Sequence, residues 1–150
     1  MSKGITSRST LRWVGLVVSV LGIPATLRAD NIFQVAGDWS TPSSWSSGWV
    51  PSNGEAVIIN ANVTLTNSTT TLTSYTLNAS KTHTFSGTNT ALIATNVTIY
   101  GSMTHSINTA STTNEFGQWV PDNQIRIVCS NLTVATNGAI DAEAKGYAGS

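Results

Sequence analysis

Asn62-Val63-Thr64-Leu65, Asn96-Val97-Thr98-Ile99 and Asn131-Leu132-Thr133-Val134 are three copies of one pattern: Asn, an aliphatic residue, Thr and a second aliphatic residue. The copies begin 34 and then 35 residues apart. Their apolar and polar residues alternate, which predicts strands with one buried face. A repeat of near-constant length predicts strands stacked as a solenoid. A similar tetrad that breaks this spacing, Tyr75-Thr76-Leu77-Asn78, leaves open whether 34 residues make one long turn or two short ones.

Other short apolar runs predict the remaining strands. The first is Ala56-Val57-Ile58-Ile59, which follows the turn signal Pro51-Ser52-Asn53-Gly54. Further strands are predicted at residues 83–85, 91–94, 97–100, 126–129, 132–135 and 139–142. Residues 105–122 predict a projecting loop with Phe116 and Trp119 folded back on it. No segment after residue 29 has a helical period, so an all-β fold is expected.

Residues 1–29 have the pattern of a secretory signal peptide. Lys3, Arg8 and Arg12 precede an uncharged apolar run over residues 13–27, and Pro24 breaks that run near its end. The run is short for a segment that crosses a bilayer core of about 30 Å, so a retained membrane anchor is the weaker alternative. We therefore expect a mature chain that starts near Asp30 and is secreted or displayed at the cell surface.

The composition excludes some classes of partner. Charged residues make up 9% of the chain, whereas 55 of its 150 residues are Ser, Thr or Asn. Beyond residue 29 only Lys81, Arg126 and Lys145 are cationic, against seven Asp and Glu, which gives a net charge of −4. Such a chain has no basic patch for nucleic-acid phosphates or anionic lipids. We expect no nucleic-acid partner and no membrane partner.

Residues 30–55 contain the most prominent candidate site. Trp39, Trp45 and Trp49 lie among Gly, Ser and Pro, in a stretch that is too irregular for a strand and is expected to form a loop or cap. Two interpretations are open. The indoles plug the end of the β stack, which would otherwise expose an edge, or they stack on sugar rings and bind carbohydrate. Their position next to the first strand favours the plug.

The other reactive residue types form no catalytic constellation. Cys129 alternates with Ile125 and Ile127, which predicts a buried, inert thiol. His83 and His105 have no other ligand type at metal-binding spacing, so isolated surface imidazoles are expected. Asp141 and Glu143 alternate along a predicted strand and are interpreted as a solvated face, with a glycosidase pair or a calcium site as alternatives. We expect no catalytic residues, no metal and no cofactor.

The cap region resembles a known class of proteins. Gly37-Asp38-Trp39-Ser40, Ser44-Trp45, Gly48-Trp49-Val50-Pro51 and Glu55-Ala56-Val57-Ile58-Ile59 are similar to the N-terminal segment of bacterial secreted right-handed parallel β-helix proteins, including autotransporter-like passengers. The Gly-rich tail over residues 138–147 is similar to their turns. The resemblance implies that residues 56–150 are solenoid turns after a Trp-rich cap. It carries over no catalytic residue. Separately, no closing cap follows the Gly-rich tail, and because solenoids need polar end caps we expect a chain truncated at Ser150.

The leading functional hypothesis is an exported, non-catalytic β-helix segment of a cell-surface or extracellular protein, structural or adhesive in role. Two alternatives come from other classes. One is the N-terminal part of a β-helix polysaccharide lyase or hydrolase whose acidic and basic groups lie on later turns. The other is a carbohydrate-binding module that uses Trp39, Trp45 and Trp49, with a polysaccharide or cell-surface glycan as partner. The sequence does not identify the ligand or the oligomeric state.

Overall fold

The computed structural model describes residues 29–109 and 112–146. The predicted signal peptide lies outside these residues, apart from Ala29. Over the described part the chain is all-β, with one short 3-10 helix at Pro42–Ser44.

Ten strands form two parallel sheets that the chain visits in turn. One sheet has the order β1-β3-β5-β7-β9 and the other β10-β8-β6-β4-β2, so each successive pair of strands adds one layer to both sheets. The fold is a β-solenoid, as the sequence predicted. The strands are β1 Asn31–Phe33, β2 Gly37–Asp38, β3 Ala56–Ile59, β4 Val63–Leu65, β5 Leu72–Leu77, β6 Thr82–Phe85, β7 Leu92–Ile99, β8 Ser102–His105, β9 Ile127–Val134 and β10 Ala139–Ile140.

The core lies between the two sheets and is built by strand alternation. In β3 and β6 every second residue is buried, and the residues between point outwards. Stacked positions carry similar side chains, since Val57, Tyr75 and Val97 are register partners and all are buried. Side chains from both sheets therefore meet in one continuous apolar interior. Because sheets close the interior on both sides, the inward-facing strand positions are mostly apolar.

The stacking differs from the constant repeat that the sequence suggested. Asn96 pairs with Asn131 in the next layer, but its partner in the preceding layer is Ser74. Ser74 directly precedes the tetrad that broke the spacing. Asn62 directly precedes β4, which belongs to the opposite sheet. The 34-residue spacing between the first two tetrads is therefore coincidental. Loops of different length separate the layers, so a fixed sequence interval does not identify stacked strands.

The two ends of the solenoid differ. At the first layer, the rings of Trp39 and Trp45 are buried in the core cluster together with Phe33. At the last layer, Leu132 and Val134 are 46% and 44% exposed, although Val97 and Ile99, their register partners in the preceding layer, are almost completely buried. One end is thus covered by aromatic side chains, and the other leaves core positions open to solvent.

Several sequence predictions need correction. Residues 31–51 contain β1 and β2, which pair with β3 and β4, so the expectation of no strand there is wrong. Strand β8 was not predicted from the sequence either. The predicted loop is present between β8 and β9, but Phe116 and Trp119 are 77% and 55% exposed, so neither side chain is buried as the sequence predicted. The loop instead forms a small turn closed by an antiparallel bridge between Thr113 and Trp119.

Candidate functional site

The Trp-rich segment forms an aromatic cap on the first layer. Trp45 packs edge-to-face on Phe33, with ring centroids 5.0 Å apart, and on Trp39, at 4.7 Å. Its indole Nε1 donates a 2.9 Å hydrogen bond to the carbonyl oxygen of Trp39. Edge-to-face geometry and a satisfied indole N–H are typical of structural aromatic clusters. For Trp39 and Trp45 the structure therefore supports the plug interpretation.

Trp49 differs from the other two indoles. It is 53% exposed, whereas Trp39 and Trp45 are 6% and 3% exposed. It borders a shallow pocket of about 290 Å³ together with Asn31, Ser46 and the buried carboxyl group of Glu55. A sugar could stack on Trp49 without disturbing the core, but it could not reach the faces of Trp39 or Trp45. The three residues predicted to bind carbohydrate together do not present one common surface.

A buried polar pair lies deeper in the core, below the cap. Tyr75 Oη and His83 Nδ1 are 2.6 Å apart, and both residues are completely buried. Burial raises the pKa of Tyr75 well above its ordinary value and lowers the pKa of His83 to about 3. A protonated Tyr75 can donate to Nδ1 of a neutral imidazole, and His83 Nε2 then has no hydrogen-bond partner among the described residues.

The expectation that both histidines are surface residues is wrong. His83 is fully buried, and His105 is only 8% exposed. The cause is strand alternation, because Thr82 and Thr84 take the outward positions of β6 and leave His83 facing the core. Phe85 stacks on the His83 ring with centroids 4.6 Å apart. An imidazole among aromatic rings is a packing element here.

Asp141 and Glu143 are also arranged differently from the prediction. β10 ends at Ile140, so the two carboxylates lie in the turn beyond it rather than on a strand face. Asp141 Oδ1 accepts a 2.8 Å hydrogen bond from the backbone N–H of Glu143. Within residues 29–109 and 112–146, no group of three or more His, Cys, Asp or Glu side chains is close enough to hold a metal ion. Cys129 is half-buried rather than fully buried.

A cleft lies beside the projecting loop, and the sequence did not predict it. It has a volume of about 590 Å³ and lies between the turns at residues 66–68 and 87–90 and the loop residues 112 and 120–122. Its described lining carries hydroxyl and amide side chains, the apolar Val120 and Pro121, and one carboxylate, Asp122. Among the described residues that line it there is no Lys, Arg or His. We refer to this feature as the loop cleft.

The base of the loop is fixed to the solenoid by a buried amide. Asn123 Oδ1 accepts a 2.8 Å hydrogen bond from the N–H of Gly87, and Asn123 Nδ2 donates to the carbonyl oxygen of Ile107 at 3.0 Å. The Asn123 N–H donates to Asn108 Oδ1 at 2.7 Å. Asp122 accepts hydrogen bonds from the N–H and the hydroxyl of Thr109. These bonds hold both walls of the loop cleft in a defined position.

The outer faces of the sheets are regular and almost uncharged. Thr64, Thr84 and Thr104 are register partners on one sheet, and Thr76, Thr98 and Thr133 on the other. Asn131 Nδ2 donates to Asn96 Oδ1 at 2.8 Å, so the Asn side chains also stack along the solenoid. β-branched Thr suits exposed strand positions, which explains the Thr-rich composition. These faces present hydroxyl groups at intervals of about 4.8 Å.

Comparison with known proteins found no matching family model, no matching curated protein and no matching solved structure. Within the described residues no helix is long and apolar enough to cross a membrane.

Proposed function

We propose that this chain is an exported, non-catalytic β-solenoid segment of a cell-surface or extracellular protein, with a structural or adhesive role like that of bacterial secreted parallel β-helix proteins. The signal-peptide pattern of residues 1–29 supports export. The hydroxyl-rich, nearly uncharged outer faces support a role outside the cell that does not depend on nucleic acid or anionic lipid.

The difference between the two ends of the solenoid carries this proposal. The aromatic cap covers the first layer, so the stack needs no neighbour there. The last layer leaves Leu132 and Val134 about half exposed at positions that are buried in the layer before it. In the described part of the chain, β9 and β10 are edge strands of the two sheets, and an edge strand presents backbone groups for pairing. A further solenoid layer fits this end because it would extend both sheets in register and bury these side chains.

The test is to add one layer and measure what it buries. A copy of residues 86–105, which span the turn before β7, β7 itself and β8, is appended after Ala142. We expect the added strands to pair with β9 and β10. The melting temperature should rise, and the Cys129 thiol should react more slowly with a disulfide reagent. Cys129 is the appropriate probe because its register partner Ala94 is buried in the layer before.

The matched control carries the same appended copy with Ser at the positions copied from Leu92, Val97, Ile99 and Met103, so that it cannot supply an apolar core. This control should leave both the melting temperature and the Cys129 reaction rate close to those of the original chain. If the apolar copy also leaves both quantities unchanged, the open end does not accept a layer and the proposal of a solenoid segment is wrong.

The polysaccharide lyase or hydrolase hypothesis remains the alternative. It requires acidic and basic groups that converge on one outer face. In the described residues the exposed carboxylates Asp141 and Glu143 share a turn, and the bond from the Glu143 N–H to Asp141 explains that geometry without a substrate. We therefore place the non-catalytic proposal first.

A further inference from the structure

We propose that the loop cleft binds a short segment of a neutral oligosaccharide. This inference goes beyond the solenoid role, because a structural stalk needs no cleft. Its volume of about 590 Å³ lies within the range of about 300–1,000 Å³ that is usual for ligand sites.

The lining chemistry selects the ligand class. Thr66, Ser68 and Thr88 bring hydroxyl groups to the cleft, and Asn67 and Asn89 bring amide groups. Such side chains can both donate and accept hydrogen bonds, as sugar hydroxyls do. The described part of the lining has one carboxylate and no cationic side chain, which makes the loop cleft unsuited to phosphate, sulfate or uronic acid groups. With so few apolar side chains, it is also unsuited to a lipid.

One wall of the loop cleft also presents a small apolar surface. Val120 is 41% exposed and adjoins Pro121 on the loop side. Sugar rings have apolar C–H faces as well as polar edges, and a small apolar surface within a polar cleft matches that combination. The adjacent Trp119 and the nearby Phe116 place exposed aromatic side chains on the same loop.

The cleft is held in shape before any ligand arrives. The buried side chain of Asn123 joins the loop to Gly87, which lies in the turn that forms the facing wall. On that wall Ser68 Oγ donates to the carbonyl oxygen of Asn89 at 2.9 Å, which links the turns of two successive layers. A binding site that is already ordered loses less conformational entropy on binding. The loop cleft therefore has the rigidity that weak, hydroxyl-based recognition requires.

The experiment titrates the purified chain with neutral oligosaccharides of glucose, mannose, galactose and xylose, using ligand-observed NMR and calorimetry. We expect at least one of them to bind, and oligogalacturonate to bind more weakly. Asn67→Trp, which fills the cleft, should weaken binding by at least about tenfold. Asn137→Trp places the same indole in an exposed turn between β9 and β10 and should leave affinity unchanged. Val120→Asp, a smaller change at the apolar wall, should also weaken binding.

The Trp49→Ala variant separates the loop cleft from the cap pocket. Full affinity in Trp49→Ala together with loss in Asn67→Trp and Val120→Asp supports the loop cleft. Loss in Trp49→Ala with full affinity in both cleft variants assigns binding to the cap and overturns the inference. Failure of every neutral oligosaccharide to bind also overturns it. Trp49→Ala, Asn67→Trp and Val120→Asp all lie away from β9 and β10, so the layer-addition experiment judges the solenoid proposal separately.

Discussion

At the scale of single residues, the pair of Tyr75 and His83 is the feature most sensitive to pH. Burial among Trp39, Tyr75 and Phe85 lowers the pKa of His83 to about 3. In the unfolded chain a histidine takes up a proton near pH 6.5. Between these two values the unfolded state binds one more proton than the folded state does. The free energy of unfolding therefore falls as the pH is lowered through this interval, by up to about 1.4 kcal/mol per pH unit.

We expect the double variant Tyr75→Phe/His83→Leu to lose this pH dependence. Urea unfolding at pH 6.5, 5.5 and 4.5 measures the free energy of unfolding for both proteins. As the pH falls, the free energy of unfolding of the original chain should decrease more than that of the double variant. Tyr75→Phe alone serves as the control, because it keeps the titrating imidazole. It also removes the hydrogen-bond partner of His83 Nδ1, which should lower the free energy of unfolding by about 1–3 kcal/mol. Parallel pH profiles for the original chain and the double variant would show that His83 is not buried.

Residue-level chemistry was the least predictable part of the molecule. The sequence predicted one common role for Trp39, Trp45 and Trp49, but the backbone geometry buries the first two and exposes the third. His83 was expected at the surface because no other ligand type lies at metal-binding spacing from it, yet its position in the alternation of β6 determines its burial. The composition of a segment indicates which groups are available, whereas the phase of the strand decides which way each group points.

At the scale of elements, the turns between the sheets set the limits on substitution. Gly101 directly precedes β8, and Gly138 occupies the equivalent place before β10. A Cβ atom at Gly101 would collide with the backbone oxygens of Lys81 and Asn78, and one at Gly138 with the backbone oxygen of Ile99. Backbone atoms of a neighbouring layer cannot move aside as a flexible side chain can. These glycines permit the close approach of successive layers.

Gly101→Ala is therefore expected to lower the free energy of unfolding by about 1–3 kcal/mol, the usual range for inserting a group into packed structure. Chemical denaturation measures the change. Gly146→Ala is the matched control, because no heavy atom of the described residues lies within 4 Å of its added Cβ, and its unfolding midpoint should stay unchanged. Equal midpoints for Gly101→Ala and the original chain would mean that the layers are not in close contact at this turn.

The strands themselves were largely predictable from alternation. β3, β4 and β6 follow the expected pattern, and the two predictions at residues 91–94 and 97–100 fall on a single strand, β7. They looked separate because Thr95 and Asn96 are both exposed, which interrupts the alternation within one strand. β1 and β2 were missed because strands of three and two residues show little period of their own, and no copy of the repeated tetrad marks them as one marks the equally short β4. The loop cleft was signalled only by the length of the gap between β8 and β9.

At the scale of the whole molecule, the solenoid class was predictable and the stacking order was not. The repeated tetrads indicated parallel layers correctly, but the layer interval varies because loops insert different numbers of residues. The structure places Ser74 beneath Asn96 and assigns β4 to the other sheet. The central claim is therefore a parallel β-solenoid with this particular register. The closed cap, the open end and the position of the loop cleft all depend on it.

Pyrene labelling of cysteine pairs tests that register most directly. In a Cys129→Ala background, one protein carries Ser74→Cys with Asn96→Cys, and a second carries Asn62→Cys with Asn96→Cys. Labels on neighbouring strands lie about 4.8 Å apart at the backbone and form excimers. We predict strong excimer fluorescence from the Ser74 and Asn96 pair and none from the Asn62 and Asn96 pair. The reverse result would contradict the account and restore stacking at the constant 34-residue interval.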